Sequence, residues 1–218
     1  MSRLESDLLN YESKYEHNGV LDNKLGINNQ NDLDKAERMI TTRKLAKLYL
    51  KKLPSKLDVD HYIEIHKYLF EDIYPFAGEI RSESITKSFS FCLPQYIYPQ
   101  LKENIEKAVK KIPSLDSRDK ILTYLVKLYS ELDFIHPFRE GNGRTLREFV
   151  REYLEIVCKT NNLEPLYLDY SNVDRGRYID AIVKADAYVE YDKLLELFDE
   201  ILKVKNIEKE DSKSNGLR

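Results

Sequence analysis

A mainly helical bundle carrying one short β-hairpin is the fold this sequence predicts, and three observations predict it. Only 7 Gly and 7 Pro punctuate the 218 residues. Between them, long stretches carry apolar residues three and four apart, and a single run instead alternates with period two. That run sets Ile85, Lys87, Phe89, Phe91 and Leu93 against Ser84, Thr86, Ser88, Ser90 and Cys92 before Pro94 ends it, so a hairpin is expected over residues 82–95. One small hairpin is marginal alone and must lean on the helical body.

The elements follow in order. Residues 1–30 are polar and Asn-rich, with breakers at Gly19 and Gly26, and read as a loose N-terminal arm. A first helix over 32–52 sets Ala36, Met39, Ile40, Leu45, Leu48 and Leu50 among many charges. A second starts at Asp58 as N-cap and runs through Tyr62, Ile65, Tyr68 and Leu69 until Tyr74 and Pro75 stop it. Helices are expected again over 98–111 and 119–132, the latter with the stripe Ile121, Leu122, Leu125, Leu128, Tyr129 and Leu132. After an interruption at 136–143 the pattern resumes with Leu146, Phe149, Val150, Tyr153, Leu154 and Val157, and a last helical region covers 173–204. Residues 31–204 therefore read as a single helical domain, since 42% hydrophobic content supplies one core and is short for two. The tail, 205–218, is charged and almost without apolar anchors, which predicts disorder.

Charge narrows the function classes. Lys plus Arg number 35 and Asp plus Glu 38, a net charge of -3, without the basic excess of a nucleic-acid or membrane-surface binder. No apolar stretch of about 18 residues and no export signal are visible. Cys92 and Cys158 lie far apart in a chain with ample core, which points to a reduced, cytoplasmic compartment.

The interruption reads HPFREGNGRTLR, from His136 to Arg147, between two helices. Gly141, Asn142 and Gly143 allow successive amides to point into one concavity where a helix begins, a place that binds anions. Arg144 and Arg147 lie in the first helical turn, three residues apart. Two cations there are unfavourable by roughly 0.3–1 kcal/mol each, and a bound anion reverses that sign. A polyphosphate suits both the amides and the two guanidinium forks. At the other end, His136 can take a proton near neutral pH, and Glu140 sits where a hard divalent cation would bridge carboxylate and phosphate. Phe138 is expected to turn inward and anchor the loop.

This run is similar to the signature of the Fic family, HxFx(D/E)GNGRxxR, with every defined position filled. FEDIYPFAGEIR before the hairpin and RGRYIDAI after the motif helix also look like stretches of that family, so the likeness spans about residues 20–190. The resemblance implies the Fic fold and transfer of AMP from ATP, with Mg2+, to a hydroxyl side chain of a target protein. It implies His136 as general base, Glu140 as metal ligand, Gly141, Asn142 and Gly143 as anion hole, and Arg144 and Arg147 on the outer phosphates. By the same likeness the hairpin is a flap whose edge pairs with the target backbone, with Ile85, Lys87 and Phe91 as contact residues. Tyr178 is implied near the adenine.

Plainer readings stand beside these. His61 and His66, five apart, share a helix face too poorly for paired metal ligation and read as structural. His17 reads as an exposed arm residue, Phe89 as packing, and Lys87 as a solvated turn residue unless a target covers it. Two other functions fit the motif: a kinase-like relative passing on the γ-phosphate, which carries lysine in place of Gly143, and an idle nucleotide-binding module. Relatives restrain themselves with Ser or Thr four residues before Glu and then Gly or Asn. Here only Thr160 and Glu164 have that spacing, and Pro165 follows. The resemblance thus implies a bacterial protein with either a separate antitoxin supplying a glutamate to Arg147 or a divergent restraint. Self-modification is a further expectation.

Overall fold

The computed structural model describes residues 13–17 and 19–205. The readings for the start of the arm and for the charged tail fall outside these residues. Strands β1 (Glu16–His17) and β2 (Val20–Leu21) come first, then helices α1 (Gln30–Tyr49), α2 (Val59–Phe70) and α3 (Pro94–Lys111), the last followed by a single 3-10 turn. Next are α4 (Arg118–Ile135) and α5 (Asn142–Thr160), strand β3 (Leu166–Leu168), helices α6 (Arg175–Tyr188) and α7 (Asp192–Ile201), and strand β4 (Leu202–Val204). A helical bundle is therefore what the chain forms.

Helices α4 and α5 are the centre. Helix α4 packs on α3, α6 and α7, and α5 packs on α2, α4 and β3. Leu125, Leu132, Phe149 and Leu154, from the stripes visible in the sequence, are at most 1% exposed. Burying each such side chain stabilises the fold by about 1.5–3 kcal/mol. Helix starts are set locally: the Asp58 side chain accepts from His61 N, and Ser117 caps α4 in the same way.

Four elements differ from the sequence reading. In α1 the buried face is Leu33, Glu37 and Thr41, while Met39 is 71% and Leu50 85% exposed. This helix covers the polar motif rather than apolar core, so its inward side is only partly hydrophobic. The described part of the arm is docked: Tyr15 is buried edge-on against Phe76, ring centroids 5.1 Å apart, and Lys24 N donates to Ile73 O at 2.7 Å. Pro94, read as a strand terminator, occupies the start of α3, where its missing N–H would be unpaired in any case. The last helical region is two helices, because Val189 adopts a left-handed conformation (φ 61°) and Val189 N and Glu190 N close back on Ala185 O and Lys184 O.

Strands β3 and β4 pair antiparallel, Tyr167 opposite Lys203. Each has three residues, too few to show a period. The expected hairpin is present but short. Thr86 and Ser90 form its bridge, flanked by Lys87 N to Phe89 O at 3.0 Å and Phe91 N to Ile85 O at 3.1 Å. Beyond it Phe91 and Cys92 are both buried, and Cys92 N bonds Phe134 O at 3.1 Å, so the alternation stops where the chain turns into the body.

Val189 is 67% exposed, and a β-branched residue in the left-handed region is strained by about 1–2 kcal/mol. Val189→Gly is expected to raise the unfolding free energy by about 0.5–1 kcal/mol, read as a higher urea midpoint at constant slope.

Candidate active site

His136 ends α4 in a left-handed conformation, φ 45° and ψ 61°. That turn aims the following chain back across the bundle toward α5. Its ring is 8% exposed and stacks on Phe91, centroids 3.9 Å apart and 16° between planes. The Nδ1 lies 3.2 Å from Asp133 O. A carbonyl only accepts, so Nδ1 carries the proton and Nε2 keeps its lone pair. Burial first, then the positive charges of Lys87 and Arg81, push the imidazole down to about 3, so it is neutral near pH 7.

The loop is held by side chains that reach its main chain. Asn142 is 5% exposed, and its amide takes both polar groups of Phe138: Phe138 N donates to Oδ1 at 2.8 Å, and Nδ2 donates to Phe138 O at 2.7 Å. Its side chain is thereby committed to the loop, and its backbone amide is left at the uncapped helix start. Phe138 is fully buried, as expected of the anchor, and stacks on His66 at 3.7 Å and Tyr62 at 6.0 Å. His66, also fully buried, donates from Nε2 to Glu140 O at 2.9 Å and accepts at Nδ1 from Gly78 N at 2.8 Å. Far from a bystander in α2, it fixes the motif's acidic residue.

Gly141 has φ 83°, and a β-carbon there would meet the Phe70 ring at 2.3 Å, so only glycine fits. Gly141 O takes the first helical bond, from Thr145 N, which leaves the amides of Asn142, Gly143 and Arg144 as the open first turn of a helix with no side-chain cap. Arg144 and Arg147 follow in the first two turns of α5. Arg144 sits 4.9 Å over Phe70 and pairs with Glu37 at 2.5 Å and Glu140 at 3.4 Å. Arg147 folds back beside Gly143, whose added β-carbon would lie 3.4 Å from Nη1, and covers the Tyr170 ring at 5.6 Å. Both line a cavity of about 410 Å³ with Leu45, Tyr49, Leu154 and Tyr170. A larger cavity of about 620 Å³, walled by Lys51, Lys52, Lys56 and His61, contains no motif residue.

The remaining residues singled out by sequence are dispersed. Glu140 keeps a 41% exposed carboxylate whose Oε1 accepts from Gly141 N at 2.8 Å. Tyr178 lies beside the motif, its hydroxyl on Tyr129 at 2.7 Å and close to Arg147, and its ring edge-on to Tyr170. In the hairpin Lys87 is exposed and Ile85 half-buried, while Phe91 faces inward onto His136. Phe89 packs on Phe91 and Phe134. His61 pairs with the buried Glu152 at 2.5 Å, and His17 with Asp22 at 2.9 Å. Among the described residues no group of three His, Cys, Asp or Glu is placed to hold a metal ion, and both cysteines are free and buried.

Sequence reasoning missed Glu37, Tyr74, Arg81, Asp133 and Asp186. Tyr74 donates its hydroxyl to Glu37, which fixes the partner of Arg144. Asp186 receives Ser130 Oγ at 2.7 Å, and burial, with the charge of Asp133, pushes its carboxyl up to about 9. The four-residue spacing of Leu33, Glu37 and Thr41 was the one usable signal, as a helix face with a carboxylate in it.

Burial, with the charge of Arg144 adding to it, lowers His66 to about 4. The unfolded chain, with histidine near 6.5, then binds more protons than the folded one between those values. Stability is present above pH 6.5 and is lost as pH falls toward 4, by up to about 1.4 kcal/mol per pH unit for each such histidine. His66→Phe is expected to flatten this slope by about one proton in chemical denaturation between pH 6 and 4.5, while lowering stability at pH 7 by about 1–3 kcal/mol.

Residues 56–154 match the family described as Fic/DOC family. The chain is 34% identical over 138 residues to the protein adenylyltransferase VbhT of Bartonella schoenbuchensis, covering 61% of this chain and 28% of that protein. It is 29% identical over 170 residues to a protein of Sinorhizobium fredii named a probable protein adenylyltransferase, covering 76% and 83%. The chain thus spans well under half the length of the first of these relatives and most of the second. Among solved structures, the N-terminal Fic domain of an effector from Bartonella sp. AR 15-3 shares 27% identity at a TM-score of 0.76, covering 87% of this chain and 91% of that one. A Bartonella quintana Fic domain with bound ADP has the same fold at 24% identity and a TM-score of 0.77, covering 88% and 94%. The complete motif folds at the junction of α4 and α5, within the residues 56–154 that match the Fic/DOC family, so this stretch is similar to that family.

Proposed function

We propose that this chain transfers AMP from ATP to a hydroxyl side chain of a protein. One observation carries the reading: a neutral imidazole with Nδ1 occupied ends α4, and the loop it opens leads into the uncapped N-terminus of α5, which carries Arg144 and Arg147. The names of the relatives and the ADP held by a related domain support it. In this reading the triphosphate lies on the amides of Asn142 and Gly143 with the arginines on its outer phosphates. The target's oxygen attacks the α-phosphorus, its proton passes to His136 Nε2, and the bond to pyrophosphate breaks. Such chemistry rests on placement and charge neutralisation more than on covalent help. An imidazole so weakly basic gains basicity once phosphates bring negative charge beside it.

A magnesium ion fits the donor set in one way. Glu140 offers a single exposed carboxylate at the cradle, so phosphate oxygens would complete the shell, as hard small cations prefer. The ion would supply charge neutralisation on the phosphates. The flap segment, with Lys87 exposed, is the natural edge for the target's backbone. A separate protein restraining the enzyme would set an acidic side chain against Arg147 by way of the cavity it shares with Leu45 and Tyr49. We read the catalytic unit as residues 31–204, acting in a bacterial cytoplasm.

Incubating purified protein, cell lysate and Mg2+ with ATP labelled at either phosphate tests the reading. Label retained from the α position and not the γ position is the expected outcome, and the reverse would make the chain a kinase. His136→Ala should reduce α-label transfer by about 10²–10⁴-fold. Undiminished transfer in that variant would remove the base.

A further inference from the structure

The largest fully buried polar side chain in the described residues is Arg81, 1% exposed, in the loop after α2. Each of its four hydrogen bonds goes to a main-chain carbonyl and none to a carboxylate. Nε donates to His136 O at 2.7 Å, Nη1 to Glu83 O at 2.6 Å, and Nη2 to Cys92 O at 2.6 Å and Ile135 O at 3.3 Å. Its own amide donates to Pro137 O at 2.9 Å. A buried cation without a counter-ion is a poor way to stabilise a core, where an apolar side chain of similar volume serves better. What the guanidinium does supply is a rigid planar fork that no other side chain offers.

The carbonyls it gathers are not scattered. Glu83 and Cys92 are the two roots of the flap, and Ile135 and His136 are the end of α4, where the imidazole is mounted. His136 holds a left-handed conformation unusual for a residue with a side chain, and such a conformation persists only when its surroundings fix it. Arg81 fixes that carbonyl with the same group that fixes both flap roots. Phe91, next to the Cys92 root, rests on the imidazole.

We infer that Arg81 is a positioning residue, which locks both roots of the flap to the main chain of His136 so that a strand seated on the flap presents its hydroxyl to that imidazole. The catalytic consequence rests on the proposed AMP transfer, while the mechanical part stands without it. The nucleotide cradle touches none of these carbonyls, so the inference separates target alignment from nucleotide binding.

Full-length Arg81→Lys and Arg81→Met are the variants to make. Hydrogen exchange at the Phe91 and Cys92 amides reads the flap, calorimetry with AMPPNP reads the cradle, and lysate labelling from α-labelled ATP reads the reaction. In both variants flap-root exchange is expected to quicken by about tenfold or more, while AMPPNP affinity stays within about twofold of wild type. Labelling per folded molecule should fall on the order of 100-fold, as for a misplacement of about 1 Å. Restoration by lysine would show that charge alone matters and overturn the inference. So would labelling and AMPPNP affinity falling together with the folded fraction. If the wild-type protein labels nothing, the proposed function fails, and unchanged flap-root exchange in the variants would still sink the mechanical claim.

Discussion

The turn between α4 and α5 has to carry exposed chemistry on a backbone that cannot satisfy itself. Six residues change direction between two helices, and helix ends leave carbonyls and amides without partners. Side chains supply what the helices do not. Asn142 closes on Phe138, His66 holds Glu140 O, and Arg81 takes His136 O and Ile135 O. Each anchor is itself buried, so the loop is as fixed as the core beneath it. Phe138 and Phe70 are the floor of this arrangement, one stacked under His66 and the other filling the space that makes Gly141 obligatory.

Charge around the site is arranged by the same logic of partners. The first arginine of the motif is held by Glu37, and Glu37 is held by Tyr74, so the guanidinium has a defined direction. The second lies over an aromatic ring and keeps its edge toward Gly143. Both buried histidines near the loop are neutral, so the positive potential there comes from the arginines and Lys87. A polyanion arriving there meets donors already oriented, and orientation before arrival is what makes such sites effective.

How much of this was legible in the sequence follows from range. Helices α2 to α5 announce themselves because their apolar stripes are long and regular, and the motif does because glycine, acid and paired cations lie within twelve residues. The supports were not legible. Arg81 stands 55 residues from His136, whose carbonyl it holds, and nothing local distinguishes it from a solvated arginine. Glu37 lies in a helix most of whose other charges face water, so its burial shows only in three dimensions. The break at Val189 hid because a β-branched residue does not signal a helix stop, and the two-stranded sheets hid because pairs of two or three residues carry no period.

The small N-terminal sheet is fastened at two places to what lies beside the motif. Glu16 in β1 forms an ion pair with Arg139 inside the motif, and the Ser13 hydroxyl and Lys14 amide both bond the carboxylate of Glu83 at 2.8 and 2.9 Å. The motif loop and the flap are therefore held by one short segment, through contacts only a few residues apart. The described N-terminal segment thus ties the motif and the base of the flap to one another as well as to the core.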